Sequence, residues 1–191
     1  LKASVKGLSS YLHQFIKHKQ LSDFYLLGNS LGGHISLVFT KRHPDQVKGL
    51  ILTGSSGLYE NAGSSYPKRG SREYIEKKTQ EVFYNPATAT PELVDEVFDI
   101  VNNRVKILHT LSISKSAIRH NMEKDLPKIA TPTLLIWGRN YVVTPPDVAV
   151  QFHQLLPHSE LSWIDKCGHA PMMEHPIIFN RILMEWLGRQ E

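Results

Sequence analysis

The stretch YLLGNSLGGH, residues 25–34, joins a short apolar run to a helical pattern through a tight turn. The run at 23–28 is typical of a buried strand, and the residues at 31–42 have the pattern of a helix. Between them lies the sequence GNSLG, a match to the G-x-S-x-G turn, which holds Ser30 at a strained corner between strand and helix. We expect both flanking glycines to remove side chains that would collide with the neighbouring strand and helix.

Strands and helices alternate on both sides of this unit. Such alternation predicts a mostly parallel sheet covered by helices, because parallel strands are joined by helical crossovers. The predicted fold class is therefore α/β. Further strands are predicted at 47–53, 132–137 and 160–164, and further helices at 1–19, 145–156 and 176–189.

The middle of the sequence breaks this alternation. From about residue 71 to 121 there is no strand-like run but two or three helical patterns, one of which begins at Thr90-Pro91-Glu92 with proline at the first helical position. The only long loop-like stretch, at 54–71, comes before it. We predict a helical cap at 57–123, inserted into a core formed by 1–56 and 124–191.

Composition narrows the class of protein. The 191 residues, 41% of them hydrophobic and 21% charged, suffice for one globular core with a small inserted subdomain. The apolar runs are too short to span a bilayer and no signal-peptide pattern opens the sequence, so we predict a cytoplasmic protein with no membrane partner. The net charge of +4 comes from scattered basic residues, which favours a solvated surface over nucleic-acid binding. The single Cys167 cannot form an internal disulfide, and the sequence predicts neither a cofactor nor a metal site.

The serine of the turn requires a base, because a free hydroxyl is a weak nucleophile. His169 is the best placed histidine: it follows the last predicted strand, in a loop made by Gly168 and Pro171. The backbone N–H of Leu31, at the start of the helix, is expected to stabilise an oxyanion. Most of the other nine histidines are interpreted as surface or helix-face residues, for example His13, His18, His120 and His153.

Four segments together resemble a known superfamily. GNSLGG, LLIWGRN, VTPP and GHAPMMEHP are similar to segments of the α/β-hydrolases, and most similar to those of the carbon–carbon bond hydrolases that act on meta-cleavage products. The resemblance covers nearly all of the chain. It implies a small-molecule substrate, Ser30 as nucleophile, His169 as general base, the Leu31 N–H as one oxyanion donor, and Asn29 in contact with the substrate.

The sequence departs from that superfamily at three places. Family members usually have aspartate where this chain has Tyr141. The opening strands and the His-Gly loop that supplies the second oxyanion donor have no counterpart, so we expect only the carboxyl-terminal strands of the fold. The carbon–carbon hydrolases commonly have an aromatic residue after the histidine and an arginine in the cap, where this chain has Ala170 and Val97.

Tyrosine is a poor substitute for the acid of a catalytic triad. Its phenol, with a pKa of about 10, is neutral at pH 7 and cannot balance the imidazolium that forms in the transition state. The preceding strand runs into Thr53-Gly54-Ser55-Ser56, which contains no acid. Three other carboxylates are not expected to replace the missing acid: Asp147, Asp165 and Glu174.

Two functional hypotheses follow from these residues. The first is a serine hydrolase of small esters or carbon–carbon bonds with impaired activity, favoured by Ser30 and His169. The second is a non-catalytic or truncated α/β-hydrolase fold that lacks a triad acid and half of the oxyanion hole, favoured by Tyr141 and by the missing counterpart of the opening strands. The strand at 23–28 is expected to present an unpaired apolar edge, which predicts a homodimer or other self-association.

Overall fold

The computed structural model describes residues 2–59 and 70–190. Its four strands are all parallel and form one sheet in the order of the chain. The strands are β1 (Phe24–Asn29), β2 (Val47–Thr53), β3 (Thr133–Gly138) and β4 (Ser159–Ile164). The helices are α1 (Val5–His18), α2 (Leu31–Arg42), α3 (Arg72–Gln80), α4 (Pro91–Asn102), α5 (Arg104–Arg119), α6 (Pro146–Leu155), α7 (Pro171–Glu174) and α8 (Pro176–Leu187).

The predicted α/β fold class and the predicted strands and helices are confirmed. The helical patterns in the middle of the sequence form α3, α4 and α5. The predicted start at Thr90 is also confirmed, because its side chain caps α4 by accepting a hydrogen bond from the Leu93 N–H at 3.4 Å. Most of the loop-like stretch at 54–71 lies outside the described residues.

Both faces of the sheet are buried, which is why its strands are apolar without strict alternation. On β2, Leu50 and Leu52 pack into a core with α1, α2 and α6, whereas Ile51 packs on the opposite face with α8. On β3, Trp137 shares the first of these cores and Ile136 the second. The sheet is therefore a rigid layer between helices, and the carboxyl ends of its strands form one edge.

The segment that contains α3, α4 and α5 begins and ends at neighbouring points beside the sheet. The Met122 N–H donates to the Gly57 carbonyl at 2.8 Å, so the two ends of the helical segment meet. The Val5 N–H at the start of α1 donates to Ser116 Oγ on α5 at 3.1 Å, which fastens the end of this segment to the first helix. The domain limits 1–56 with 124–191, and 57–123, stay a prediction.

Candidate active site

Ser30 stands at the turn between β1 and α2 in a strained backbone conformation. Its φ of 53° and ψ of −119° are unusual for any residue other than glycine. Two hydrogen bonds hold it there: the Ser30 N–H donates to the Thr53 carbonyl at 2.9 Å, and the Ser56 N–H donates to the Ser30 carbonyl at 3.1 Å. The Ser30 side chain makes no capping hydrogen bond to α2, so its hydroxyl is not committed to the helix.

Close packing around the turn explains two of its three glycines. A Cβ on Gly28 would lie 2.5 Å from the backbone of Gly32 and Gly33, and a Cβ on Gly33 would collide with the side chain of Ser55. A Cβ on Gly32 would meet nothing within 4 Å. The expectation that both glycines flanking Ser30 avoid a collision is therefore correct for Gly28 and wrong for Gly32. The reason is that Gly33, rather than Gly32, faces the end of β2.

The loop that carries His169 meets the serine turn at the carboxyl edge of the sheet. The amide nitrogen of Asn29 lies within hydrogen-bond distance of three acceptors: the Thr53 carbonyl at 3.1 Å, Thr53 Oγ1 at 2.8 Å and the His169 carbonyl at 3.0 Å. The His169 N–H donates to the Val82 carbonyl at 2.9 Å. Asn29 thus joins the ends of β1 and β2 to the histidine loop. Its predicted contact with substrate stays a prediction.

Glu174 anchors the same loop to the inserted helices. Its carboxylate accepts hydrogen bonds from the N–H groups of Gly168 at 2.7 Å, Tyr84 at 2.8 Å and Asn85 at 3.3 Å. Charge-assisted hydrogen bonds of this kind are stronger than neutral ones. Glu174 therefore fixes the residue before His169 and the segment after α3 relative to one another.

Tyr141 lies beside the imidazole of His169. The two ring centroids are 4.7 Å apart and the rings are tilted by 34°. Tyr141 is only 4% exposed. Gly54, with a φ of 47°, makes room for both rings, since a Cβ there would lie 3.2 Å from Tyr141 Cε1 and 3.4 Å from His169 Nδ1.

No carboxylate reaches His169 within the described residues. Its Nδ1 is buried and has no hydrogen-bond partner there. Asp165 forms an ion pair with Arg139 at 2.7 Å, Glu174 binds backbone N–H groups, and Asp147 is exposed in the first turn of α6. The expectation that none of these three acids substitutes for the missing one agrees with this geometry.

Burial sets the protonation state of the histidine. It lowers the pKa of His169 to about 4, because the charged imidazolium loses solvation and has no anion beside it. His169 is therefore neutral at pH 7 and able to accept a proton. In the same loop, burial and the nearby Glu174 raise the pKa of the Cys167 thiol to about 12, which leaves that thiol unreactive.

An apolar cavity of about 480 Å³ opens beside His169. Most of its wall comes from α3, α4 and the segment after His169. Val97, the position where the resemblance suggested an arginine, is part of this wall, and the one cation there, Lys78, is paired with Glu81 at 2.6 Å. The other lining residues are Asn29, Tyr74, Ile75, Thr79, Val82, Phe83, Leu93, Val101, Ala170, Met172 and Met173.

Residues 2–59 and 70–190 contain neither a metal-binding cluster nor a membrane-spanning helix. No three histidine, cysteine or acidic side chains lie close enough together there to hold a metal ion. Over the same ranges, none of the helices combines the length and the apolar character needed to cross a bilayer.

Comparison with known proteins gives a consistent group of relatives. A family described as serine aminopeptidase, S33 matches residues 1–176. The chain is 28% identical over 178 residues to a 2-hydroxy-6-oxononadienedioate/2-hydroxy-6-oxononatrienedioate hydrolase of Pseudomonas sp, a match that covers 86% of this chain and 63% of the relative. It is 28% identical over 195 residues to the Escherichia coli K12 hydrolase of the same name, covering 93% and 67%. The chain thus matches less than two thirds of the length of the Pseudomonas relative.

Solved structures agree with the fold. The chain is 47% identical, with a TM-score of 0.78, to MGS-MChE2, an alpha/beta hydrolase enzyme from the metagenome of lagoon sediments at Mar Chica, Morocco; the match covers 100% of this chain and 72% of the other. It superposes with a TM-score of 0.85 and 18% identity on the meta-cleavage product hydrolase CumD of Pseudomonas fluorescens IP01, covering 98% and 73%. At that identity, the second match supports the fold alone.

Proposed function

Because the chain belongs to the serine aminopeptidase S33 family of α/β-hydrolases, we propose that it hydrolyses small apolar esters through Ser30 and His169, without a carboxylate partner. The observation that carries this proposal is the strained Ser30 turn, which meets the His169 loop at one edge of the sheet. Strain of this kind costs about 1–3 kcal/mol and persists mainly at functional sites.

The reaction proceeds in two steps. Ser30 Oγ attacks the ester carbonyl carbon while His169 accepts the hydroxyl proton, and the Leu31 N–H stabilises the oxyanion that forms. Leu31 is the first residue of α2, where backbone N–H groups have no partner within the helix. The C–O bond of the ester then breaks, and His169 returns the proton to the departing alkoxide. Water, deprotonated by His169, then attacks the acyl-serine; the bond to Ser30 Oγ breaks, His169 returns the proton to that oxygen, and the acid leaves.

Activity is impaired in this proposal because His169 has no counter-charge. In a complete triad, a carboxylate on Nδ1 fixes the tautomer of the imidazole and stabilises the imidazolium. Here the buried Nδ1 lacks a hydrogen-bond partner among the described residues, and Tyr141 occupies the adjacent space. The free energy needed to protonate His169 is therefore higher than that needed to protonate a histidine paired with a carboxylate. The same observation favours the second candidate, a fold that has lost turnover.

The wall of the cavity supports an apolar substrate. The relatives are named for dioates, which carry two carboxylates, whereas the lone lysine of this wall is already paired with Glu81. A dicarboxylate would have to leave water without a free cation to receive it. Hydrolysis of a dioate therefore fits this cavity less well than hydrolysis of an ester with an apolar acyl group.

Three further predictions from the sequence are part of this proposal: a cap, a location and self-association. The segment 57–123 acts as a cap over the cavity, and the protein is cytoplasmic. The chain self-associates, a proposal supported by β1, which pairs only with β2 among the described strands and exposes 47% of Leu27.

An ester panel tests the substrate class. The chain is expected to hydrolyse p-nitrophenyl butyrate with a kcat/KM about tenfold higher than that for the anionic mono-p-nitrophenyl glutarate, because one unpaired charge in an apolar cavity costs at least that much. Val97→Arg should reverse this preference by adding a cation to the wall. Ile118→Arg, an equal charge change at an exposed position on α5, should leave it unchanged. Equal rates for both esters in the unmodified chain would contradict the proposal.

A further inference from the structure

A second cavity, of about 880 Å³, lies between α1 and α5, away from Ser30 and His169. Two hydrogen bonds give it a fixed shape: the Val5 N–H donates to Ser116 Oγ at 3.1 Å, and Ser112 Oγ donates to the Ala3 carbonyl at 3.0 Å. Its walls carry hydroxyl and amide groups. The uncharged lining residues are Ala3, Ser4, Gly7, Ser10, Tyr11, Gln14, Ser112 and Ser116.

The charged lining of this cavity has only one sign. Its basic residues are Lys2, Lys6, Lys115, Arg119 and His120, and none of its lining residues is acidic. Neither the three lysines nor the arginine form an ion pair with another described residue, because every ion pair among the described residues joins other side chains. The carboxylate of Asp125, which lies close enough to act on His120, is bound to Lys41 at 2.6 Å.

The basic residues near this cavity contribute to a lowered pKa of His120. Its pKa is lowered first by burial and next by the charge of Lys6, with smaller contributions from Lys41 and Arg42; the negative charge of Asp125 opposes them. His120 Nδ1 also lies 2.9 Å from Nε2 of His34, which is fully buried. Among the described residues, the charge of Asp125 therefore does not offset the combined effect of burial and these cations on the pKa of His120.

Two helix ends lie at this cavity and act on its field in opposite directions, because α5 ends there with its partial negative charge whereas α1 begins there. The N-terminus of α1, with its partial positive charge, begins at this cavity, and its first turn contains no acidic residue. Lysine and arginine side chains donate strong, charge-assisted hydrogen bonds to phosphate oxygens, and neighbouring hydroxyl groups add weaker ones. The hydroxyls of Ser4 and Ser116 accept backbone hydrogen bonds and keep their own protons to donate. Together with the concave shape and the unpaired cations, they form a preformed site for an anion.

We propose that the cavity between α1 and α5 binds a small, multiply charged phosphate compound, with Lys6, Lys115 and Arg119 as its charged contacts. This site is separate from the ester cavity and does not depend on the proposed hydrolysis. The concave wall favours a soluble phosphate over a lipid headgroup, because a flat membrane surface cannot reach the floor of a cavity.

Calorimetric titration with inorganic pyrophosphate at low ionic strength tests the proposal. Lys6→Gln/Lys115→Gln/Arg119→Gln is expected to raise the dissociation constant about tenfold or more, since three charge-assisted contacts are removed. The matched control, Lys48→Gln/Lys77→Gln/Arg181→Gln, removes the same charge from exposed residues elsewhere and should change it by less than about twofold. Lys115→Gln alone should give a smaller change in the same direction, and pyrophosphate should raise the pKa of His120 in the unmodified chain.

Three results would overturn the proposal. The first is an absence of pyrophosphate binding to the unmodified chain. The second is equal weakening by the two triple variants, which would show a general charge effect. The third is binding to phosphatidylglycerol vesicles without binding to pyrophosphate, which would assign the cations to a membrane surface.

Discussion

Replacing Tyr141 with aspartate is expected to raise kcat for p-nitrophenyl butyrate by about 10²-fold or more. The ceiling is about 10⁴-fold, the usual cost of removing the acid from a Ser-His-acid triad. The gain arises because a carboxylate beside His169 would accept a hydrogen bond from its unpaired Nδ1 and balance the imidazolium of the transition state. Steady-state kinetics on the purified variant measures it.

The side chain of aspartate is shorter than that of tyrosine, so two further variants make this test decisive. Tyr141→Glu places a carboxylate farther from the backbone, and one of the two acids should reach Nδ1. Tyr141→Asn matches aspartate in size without its charge, and should give no gain. Thermal melting must accompany the kinetics, because replacing a residue that is 4% exposed opens a cavity. If both acidic variants fold and neither is faster than the asparagine variant, Tyr141 does not occupy the place of the acid.

Ser30→Ala is expected to reduce covalent labelling by a small fluorophosphonate about 10³-fold or more, to the level of an unreactive chain. The strained turn and His169 make this hydroxyl the reactive one, and these features do not require a carboxylate. His169→Ala should slow labelling by about 10²-fold, the usual contribution of a general base. Intact-mass spectrometry over time measures both rates.

The control for labelling is Ser22→Ala, which removes an exposed serine just before β1 and should leave the rate unchanged. Labelling of the Ser30→Ala chain at the rate of the unmodified chain would exclude Ser30 as the nucleophile.

The parts of the fold that depend on local pattern could be predicted from the sequence. Strands buried on both faces are continuous apolar runs, so the sequence predicts β2 at 47–53 and β3 at 132–137. The start of α4 was visible because Thr90 and the following proline are typical of a helix N-terminus. The G-x-S-x-G turn was visible because its strain requires particular residues.

The contacts between distant segments could not be predicted in this way. Glu174 accepts hydrogen bonds from the N–H groups of Gly168 and Tyr84, and Tyr84 lies 90 residues before it in the sequence. No sequence pattern indicates a carboxylate whose partners are backbone groups. Gly33, rather than Gly32, is the glycine that packs against Ser55, which depends on the rotation of α2 over the sheet.

The pairing of two histidines was also missed. His120 was interpreted as a surface or helix-face residue, but its Nδ1 lies 2.9 Å from Nε2 of His34. His34 is fully buried, and burial together with the charge of His120 lowers its pKa to about 4. The only local signal was its place in α2, a helix that is buried along most of its length.

The state of His169 is the central claim, and titration of its ring protons by NMR tests it most directly. The signal is assigned by its loss in His169→Gln. A pKa of about 4 is predicted, because burial disfavours the imidazolium and no carboxylate stabilises it. The imidazole should then stay neutral as the pH falls from 8 to about 5. A pKa at or above the ordinary value of 6.5 would show that an anion contacts Nδ1, and would contradict the account of a Ser-His pair without an acid.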